Sequence, residues 1–156
     1  MIFVTVGTHV QFNRLVKRID ELAPKIKDEI IIQLGSSTYL PKNCKSFNWD
    51  ESIDKYMEKA DLVITHGGLS IFESLNKHNK PTIIVPRQYK YGEHINDHQV
   101  EFGSYIEQKY SAKVIYDIKD LNETLLREYR KKIKVDNPGL KNLQSYIKSV
   151  IELIDN

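Results

Sequence analysis

The chain has 156 residues, a net charge of +2 and a single cysteine, which gives one domain large enough for a real core. Cys44 alone allows neither an intrachain disulfide nor a cysteine-rich metal site, and the near-neutral, scattered charge demands no nucleic-acid partner. No apolar run reaches the length of a membrane span, so the expected location is the cytoplasm, and one domain is small for an enzyme that must grip two substrates.

In chain order, Ile2 to Val6 is an expected strand rich in β-branched residues, ending at Gly7-Thr8-His9. Phe12, Leu15, Val16, Ile19 and Leu22 then recur at helical spacing, with Asn13 near the start and Pro24 near the end. Ile30 to Leu34 reads as a second buried strand stopped by Gly35, and Lys45 to Asn48 as a short third. Asp50 or Ser52 is expected to cap a brief helix with Ile53, Tyr56 and Met57 inward, leading to a fourth strand at Leu62 to Ile64. A helix starts around Ser70, and Thr82 to Val85 is a fifth strand closed by Pro86. After a loop with Arg87, Tyr89, Lys90 and Tyr91, the polar run Glu93 to Gln99 leads into a helix expected to reach about Lys109. Lys113 to Tyr116 is a sixth strand, and Asp120 to Ile133 a charged helix whose basic run Arg127 to Lys134 is expected to face solvent. Beyond Asn137-Pro138-Gly139, the stripe Leu140, Leu143, Ile147, Val150, Ile151 and Ile154 predicts a final amphipathic helix. Strands alternating with helices specify an α/β fold over residues 1–156: a single Rossmann-like parallel sheet with helices on both faces.

In such sheets ligands bind beyond the carboxyl ends of the strands, and the loops at Gly7, Gly35, His66-Gly67-Gly68 and Arg87 to Gln99 all follow strands. They are expected to share one rim. Adjacent glycines let the backbone approach a ligand and adopt φ values barred to other residues, and the helix beginning near Ser70 offers unpaired N–H groups at its positive end. A diphosphate held by Gly67, Gly68 and the Ser70 hydroxyl, with His66 as a further donor, needs no lysine there. Glu73, one turn on, can accept from ribose hydroxyls, although Ser70 and Glu73 also have the spacing of a purely structural capping box. His94 and His98 stand four apart, yet no glutamate directly follows His94 and no third ligand is evident, so no metal is expected. Asp97, His98 and Gln99 are instead candidates for hydrogen-bonding the hydroxyls of a sugar.

The runs Ala-Asp-Leu-Val-Ile-Thr-His-Gly-Gly-Leu-Ser-Ile-Phe-Glu (60–73), Lys-Pro-Thr-Ile-Ile-Val-Pro-Arg-Gln (80–88) and Gly-Glu-His-Ile-Asn-Asp-His-Gln-Val-Glu-Phe (92–102) together resemble the C-terminal domain of family 28 glycosyltransferases. With the opening Phe-Val-Thr-Val-Gly-Thr-His, nearly the whole chain resembles the small single-domain members of that group. Those are bacterial capsule and exopolysaccharide subunits that add galactose or glucuronic acid to a lipid-linked sugar, and the eukaryotic catalytic subunit that adds the second GlcNAc to the dolichol-linked oligosaccharide. The resemblance implies the C-terminal half of a GT-B glycosyltransferase, binding a UDP-sugar as substrate with no cofactor and no metal. It implies diphosphate contacts from His66, Gly67, Gly68 and Ser70, with Gly7 and Thr8 in the first glycine turn, and a ribose contact from Glu73. His98 and Gln99 would touch the transferred sugar, with Glu93, His94 and Asp97 lining the same pocket. It also implies a membrane-anchored partner that resembles the missing N-terminal domain, brings the lipid-linked acceptor and recruits this chain to the cytoplasmic membrane face. The catalytic base is left open between His9, His94 and the partner.

Two other classes compete. The chain could be a non-catalytic nucleotide-sugar binder or enhancer subunit of such a complex. A flavodoxin-like receiver would need an acidic cluster after its first strand, where Gly7-Thr8-His9 stands, and no Gly-x-Gly-x-x-Gly marks a dinucleotide enzyme.

Overall fold

The computed structural model describes residues 1–110 and 112–131. Six strands, β1 (Ile2–Thr5), β2 (Ile30–Gln33), β3 (Lys45–Phe47), β4 (Leu62–Thr65), β5 (Thr82–Ile84) and β6 (Ala112–Val114), form one sheet ordered β3-β2-β1-β4-β5-β6. Every pairing is parallel. The order reverses between β1 and β4, and a sheet of this kind splays its loops apart at that point to leave a crevice at the carboxyl ends.

Helices cover both faces because the strand residues alternate. Ile2, Val4, Ile32 and Ile64 pack under α1 (Asn13–Leu22) and α5 (Glu123–Arg130), with Leu15, Ile19 and Leu126 completing that layer. On the other face Phe3 and Val63 meet Met57 of α2 (Asp54–Lys59), where Phe3 and Phe47 both stack on Tyr56, at 5.3 and 4.6 Å between ring centroids. Ile84 and Val114 meet Ile71 of α3 (Ser70–Phe72), Leu75 in the turn that continues it, and Phe102 and Ile106 of α4 (His98–Lys109).

Several boundaries differ from expectation for local reasons. Neither Asp50 nor Ser52 is the cap residue of α2: Ile53 holds that position, Ser52 Oγ accepts from Asp54 N–H at 3.3 Å, and Asp50 accepts from the Tyr56 hydroxyl at 2.9 Å. Helix α5 starts at Glu123 rather than Asp120 because Asn122 caps it, its side chain accepting from Leu125 N–H at 2.9 Å. The basic run is not all solvated, since Arg130 pairs with Asp28 and Asp61. Strand β6 begins at Ala112 and ends before Tyr116. The expected final helix lies outside the described residues.

The α3 region shows the largest departure. Residues Ser70–Phe72 form one α-helical turn, continued by a π-helical turn at Glu73–Lys77. No capping box forms; Leu69 occupies the cap position without a side-chain bond, and the Ser70 hydroxyl instead bonds the Thr65 hydroxyl. A π-turn inside a helix is a recurring mark of functional sites.

Candidate functional site

The rim at the β1/β4 crevice is assembled from the loops after β1, β4 and β5 and the start of α4. Gly7 takes a left-handed φ of +75°, open to glycine at little cost. A Cβ there would come within 2.8 Å of the His66 imidazole, and a Cβ on Gly68 within 2.2 Å of the same ring. The turn glycines are therefore required for space: neither Gly67 nor Gly68 has positive φ, contrary to the expectation from sequence.

His66 lies between these loops with its Nδ1 buried and in no well-formed hydrogen bond. Burial, reinforced by the Arg87 charge, pushes its pKa down to about 3, the backbone at Thr5 opposing this weakly. The imidazole is neutral at pH 7. Next to it, the N–H groups of Gly68, Leu69 and Ser70 meet no acceptor among the described residues, whereas the Gly67 N–H is taken by Gln99 Oε1 at 3.2 Å. Three consecutive unspent donors at the switch point are chemically suited to an anion. Glu73 is half-buried, its carboxylate has no hydrogen-bond partner among the described residues, and burial first and Asp54 second raise its pKa.

The remaining expected site residues divide into engaged and open groups. Glu93 is buried and committed to Arg14, whose Nε and Nη2 donate to its two oxygens at 2.7 and 2.8 Å; Gln88 N–H adds a third bond at 3.1 Å. Gln99 is buried, and Asp97 accepts from Tyr89 N–H at 2.8 Å. Helix α4 begins only at His98, so His94 precedes it, but the two imidazoles still meet edge to face at 4.3 Å. Burial lowers the pKa of both, helped for His94 by Arg87 and for His98 by His94. Thr8 and His9 stand exposed on the first loop, with the Thr8 carbonyl accepting from Ser36 Oγ at 2.6 Å. Among the described residues no group of three His, Cys, Asp or Glu is arranged to hold a metal ion.

Arg87 stood in the sequence only as the first residue of the β5 loop, with no role assigned to its side chain. Its side chain is 3% exposed and donates to the Val6 carbonyl at 2.7 Å and to that of Val10, tying the first loop to the β5 loop. Arg14 was not singled out there; its guanidinium lies 4.6 Å from the Tyr91 ring centroid and 5.3 Å from that of Phe12. Nothing in their spacing marks either one. A cavity of about 720 Å³ among Ile2, Lys27, Asp61, Leu126 and Arg130 lies at the opposite end of the strands, against the limit of the described residues, and contains none of the rim groups.

The sequence matches the glycosyltransferase family 28 C-terminal domain over residues 1–154. The chain belongs to that family. One relative of this family 28 domain is the mouse (Mus musculus) UDP-N-acetylglucosamine transferase subunit ALG13, 32% identical over 121 residues, 69% of this chain and 10% of the relative. Another, from Finegoldia magna, is the UDP-N-acetylglucosamine--N-acetylmuramyl-(pentapeptide) pyrophosphoryl-undecaprenol N-acetylglucosamine transferase, 25% identical over 153 residues, 92% of this chain and 40% of that one. Among solved structures, MurG of Acinetobacter baumannii matches with a TM-score of 0.58 at 17% identity, over 81% of this chain and 40% of the other, a likeness of fold. The family 28 domain thus spans a tenth to two fifths of these proteins, and the expected fold, one half of a GT-B glycosyltransferase, is the fold found. No helix among its described residues is long and apolar enough to cross a membrane.

Proposed function

We propose that this chain is the donor-binding, catalytic subunit of a two-component inverting glycosyltransferase that moves a hexose from a UDP-sugar to a lipid-linked acceptor in polysaccharide or glycan synthesis. The observation that carries this reading is the row of free N–H groups at Gly68, Leu69 and Ser70, at the switch point of a family 28 domain. The diphosphate sits against them beside neutral His66, with Gly7 and Thr8 across the crevice, and the open Glu73 carboxylate takes the ribose hydroxyls. His98, His94 and Asp97 face the hexose, while Glu93 shapes that pocket through Arg14. Two relatives are named as UDP-N-acetylglucosamine transferases, which makes UDP-GlcNAc the first donor to try.

The acceptor hydroxyl oxygen attacks the anomeric carbon, the bond from that carbon to the β-phosphate oxygen breaks, and its electron pair leaves with UDP. The free N–H groups meet the charge that develops on the leaving diphosphate. The acceptor proton passes to a base: His94, neutral at pH 7, exposed His9, or a group of the partner subunit. The reading includes such a partner, anchored in the membrane, because Val10, Trp49, Leu69, Tyr89, Tyr91 and Ile95 all follow carboxyl ends of strands and are all exposed. An apolar rim of this kind suits cover by a second protein.

Calorimetric titration with UDP tests the donor site. The wild-type chain is expected to bind UDP, and Gly68→Val, which forces a side chain into His66, is expected to lose ~10²-fold or more, on the scale of losing oxyanion donors. Glu73→Ala, which adds no bulk, should also weaken binding. Unchanged affinity in both variants, with folding verified by circular dichroism, overturns the assignment.

A further inference from the structure

We infer that Arg87 is the fixed positive charge of the donor site, a buried guanidinium that draws the diphosphate through space without touching it; this rests on the proposed nucleotide-sugar site. From its position directly after Pro86 it reaches the loop that follows β1, where Nη2 donates to the Val6 carbonyl at 2.7 Å and to that of Val10. Those two carbonyls bracket Gly7, Thr8 and His9. The cation therefore lies across the base of the loop that meets the His66-Gly67-Gly68 turn.

Its charge is left uncompensated by the protein. Burial pulls the Arg87 pKa down to about 10, with Glu93 opposing, so the group is still cationic at pH 7. Glu93 is the one carboxylate among the described residues whose charge reaches it, and both Glu93 oxygens are taken by Arg14. Two guanidiniums share one carboxylate, and one positive charge is left over. The Phe12 ring, 5.0 Å from Arg87 and 5.3 Å from Arg14, supplies a π face to both but no counter-ion. Arg87 Nε and Arg14 Nη1 are buried with no hydrogen-bond partner among the described residues. An unpaired buried charge is expensive, and the fold keeps this one where His66 and His94 both feel it. A diphosphate arriving at the N–H groups of Gly68, Leu69 and Ser70 supplies the missing counter-charge, and the cation, already locked in place, loses no freedom when it does.

Ligand charge separates this role from that of a tie which merely holds two loops together. Uridine and UDP are titrated calorimetrically into the wild type, Arg87→Met and Arg87→Lys, with folding verified by circular dichroism. Loss of the charge in Arg87→Met should lower UDP affinity by about tenfold or more, the scale of one charge pair at a partly screened site, while uridine affinity changes less than about twofold. Arg87→Lys, which keeps a cation but not the guanidinium fork, should recover most of the UDP affinity. Equal losses for uridine and UDP in Arg87→Met, or a lysine variant as weak as the methionine one, overturn the inference. NMR titration of His94 without ligand gives a second readout. Its pKa, held down by burial and then by Arg87, should rise in Arg87→Met, and an unmoved value there also overturns the inference. If Arg87→Met does not fold, Arg87→Lys decides, since a loss of UDP affinity there as large as in Gly68→Val overturns the role of the charge. Wild-type protein that binds no UDP, but whose His94 pKa rises in Arg87→Met, sinks the proposed donor site and leaves the buried charge standing.

Discussion

Between Gly7 and Gly68 there is room for one flat ring, and a Cβ on either glycine would press to within 3 Å of the imidazole that fills it. His66 sits there neutral, with a folded pKa of about 3 against an ordinary value near 6.5. Below pH 6.5 the unfolded chain takes up a proton that the folded chain refuses, so stability is full above that pH and falls as pH drops towards 3. The slope approaches 1.4 kcal/mol per pH unit at most. His94 and His98 act in the same direction, since burial lowers both. Urea melts at pH 7 and pH 5 on the wild type and on His66→Asn isolate the His66 part: the wild type should lose more stability on acidification than the variant, and equal losses would show that His66 titrates freely. The histidine was legible in the sequence as part of the turn. Its neutrality was not, because burial and the nearby Arg87 are set by other loops.

At the scale of elements, the loop between β5 and α4 owes its shape to a contact across the sheet. Arg14 on α1 reaches Glu93, 79 residues away, in a bidentate pair whose side chains are 15% and 6% exposed. Removing one partner from a buried pair leaves the other charge without compensation, so Glu93→Ala should cost ~3 kcal/mol or more. The double variant Arg14→Met with Glu93→Met should recover part of that loss. Chemical denaturation measures both, and a cost below ~1 kcal/mol for Glu93→Ala would place the pair among ordinary surface bridges. A smaller effect is expected at the α5 start, where Asn122→Ala removes the cap bond to Leu125 N–H and should cost ~1 kcal/mol in the same assay. The sequence showed Glu93 only as one carboxylate in a polar run, and the resemblance placed it in the lining of the sugar pocket; its pairing with Arg14 is visible only in the fold.

For the whole molecule, the question is whether the rim works alone. The chain spans 40% of the Finegoldia magna enzyme, and exposed apolar side chains crowd the strand ends where the proposed donor binds. On the proposed reading, a transfer assay with UDP-GlcNAc and a lipid-linked acceptor should give product only when this chain and the proposed partner subunit are combined. Equal activity from this chain by itself would remove the need for a partner. Retained activity after His9→Ala together with His94→Ala would move the base to the partner, and would favour the enhancer reading if Gly68→Val were active too.

Order along the chain pointed to the architecture, since apolar strands alternating with amphipathic helices bury their faces well as a parallel sheet covered on both sides. That order also put the Gly7 loop, the Gly-Gly turn and the β5 loop at one edge, because parallel strands all end on the same side. Tertiary structure alone decided how the polar groups are spent: the Gly67 N–H on Gln99, Glu93 on Arg14, the Ser70 hydroxyl on Thr65, and Arg87 on the first loop. Hydrophobic periodicity is a property of neighbours in sequence, whereas a buried donor is satisfied by whichever acceptor the fold brings within hydrogen-bonding reach, and Arg87 and Val6 are 81 residues apart.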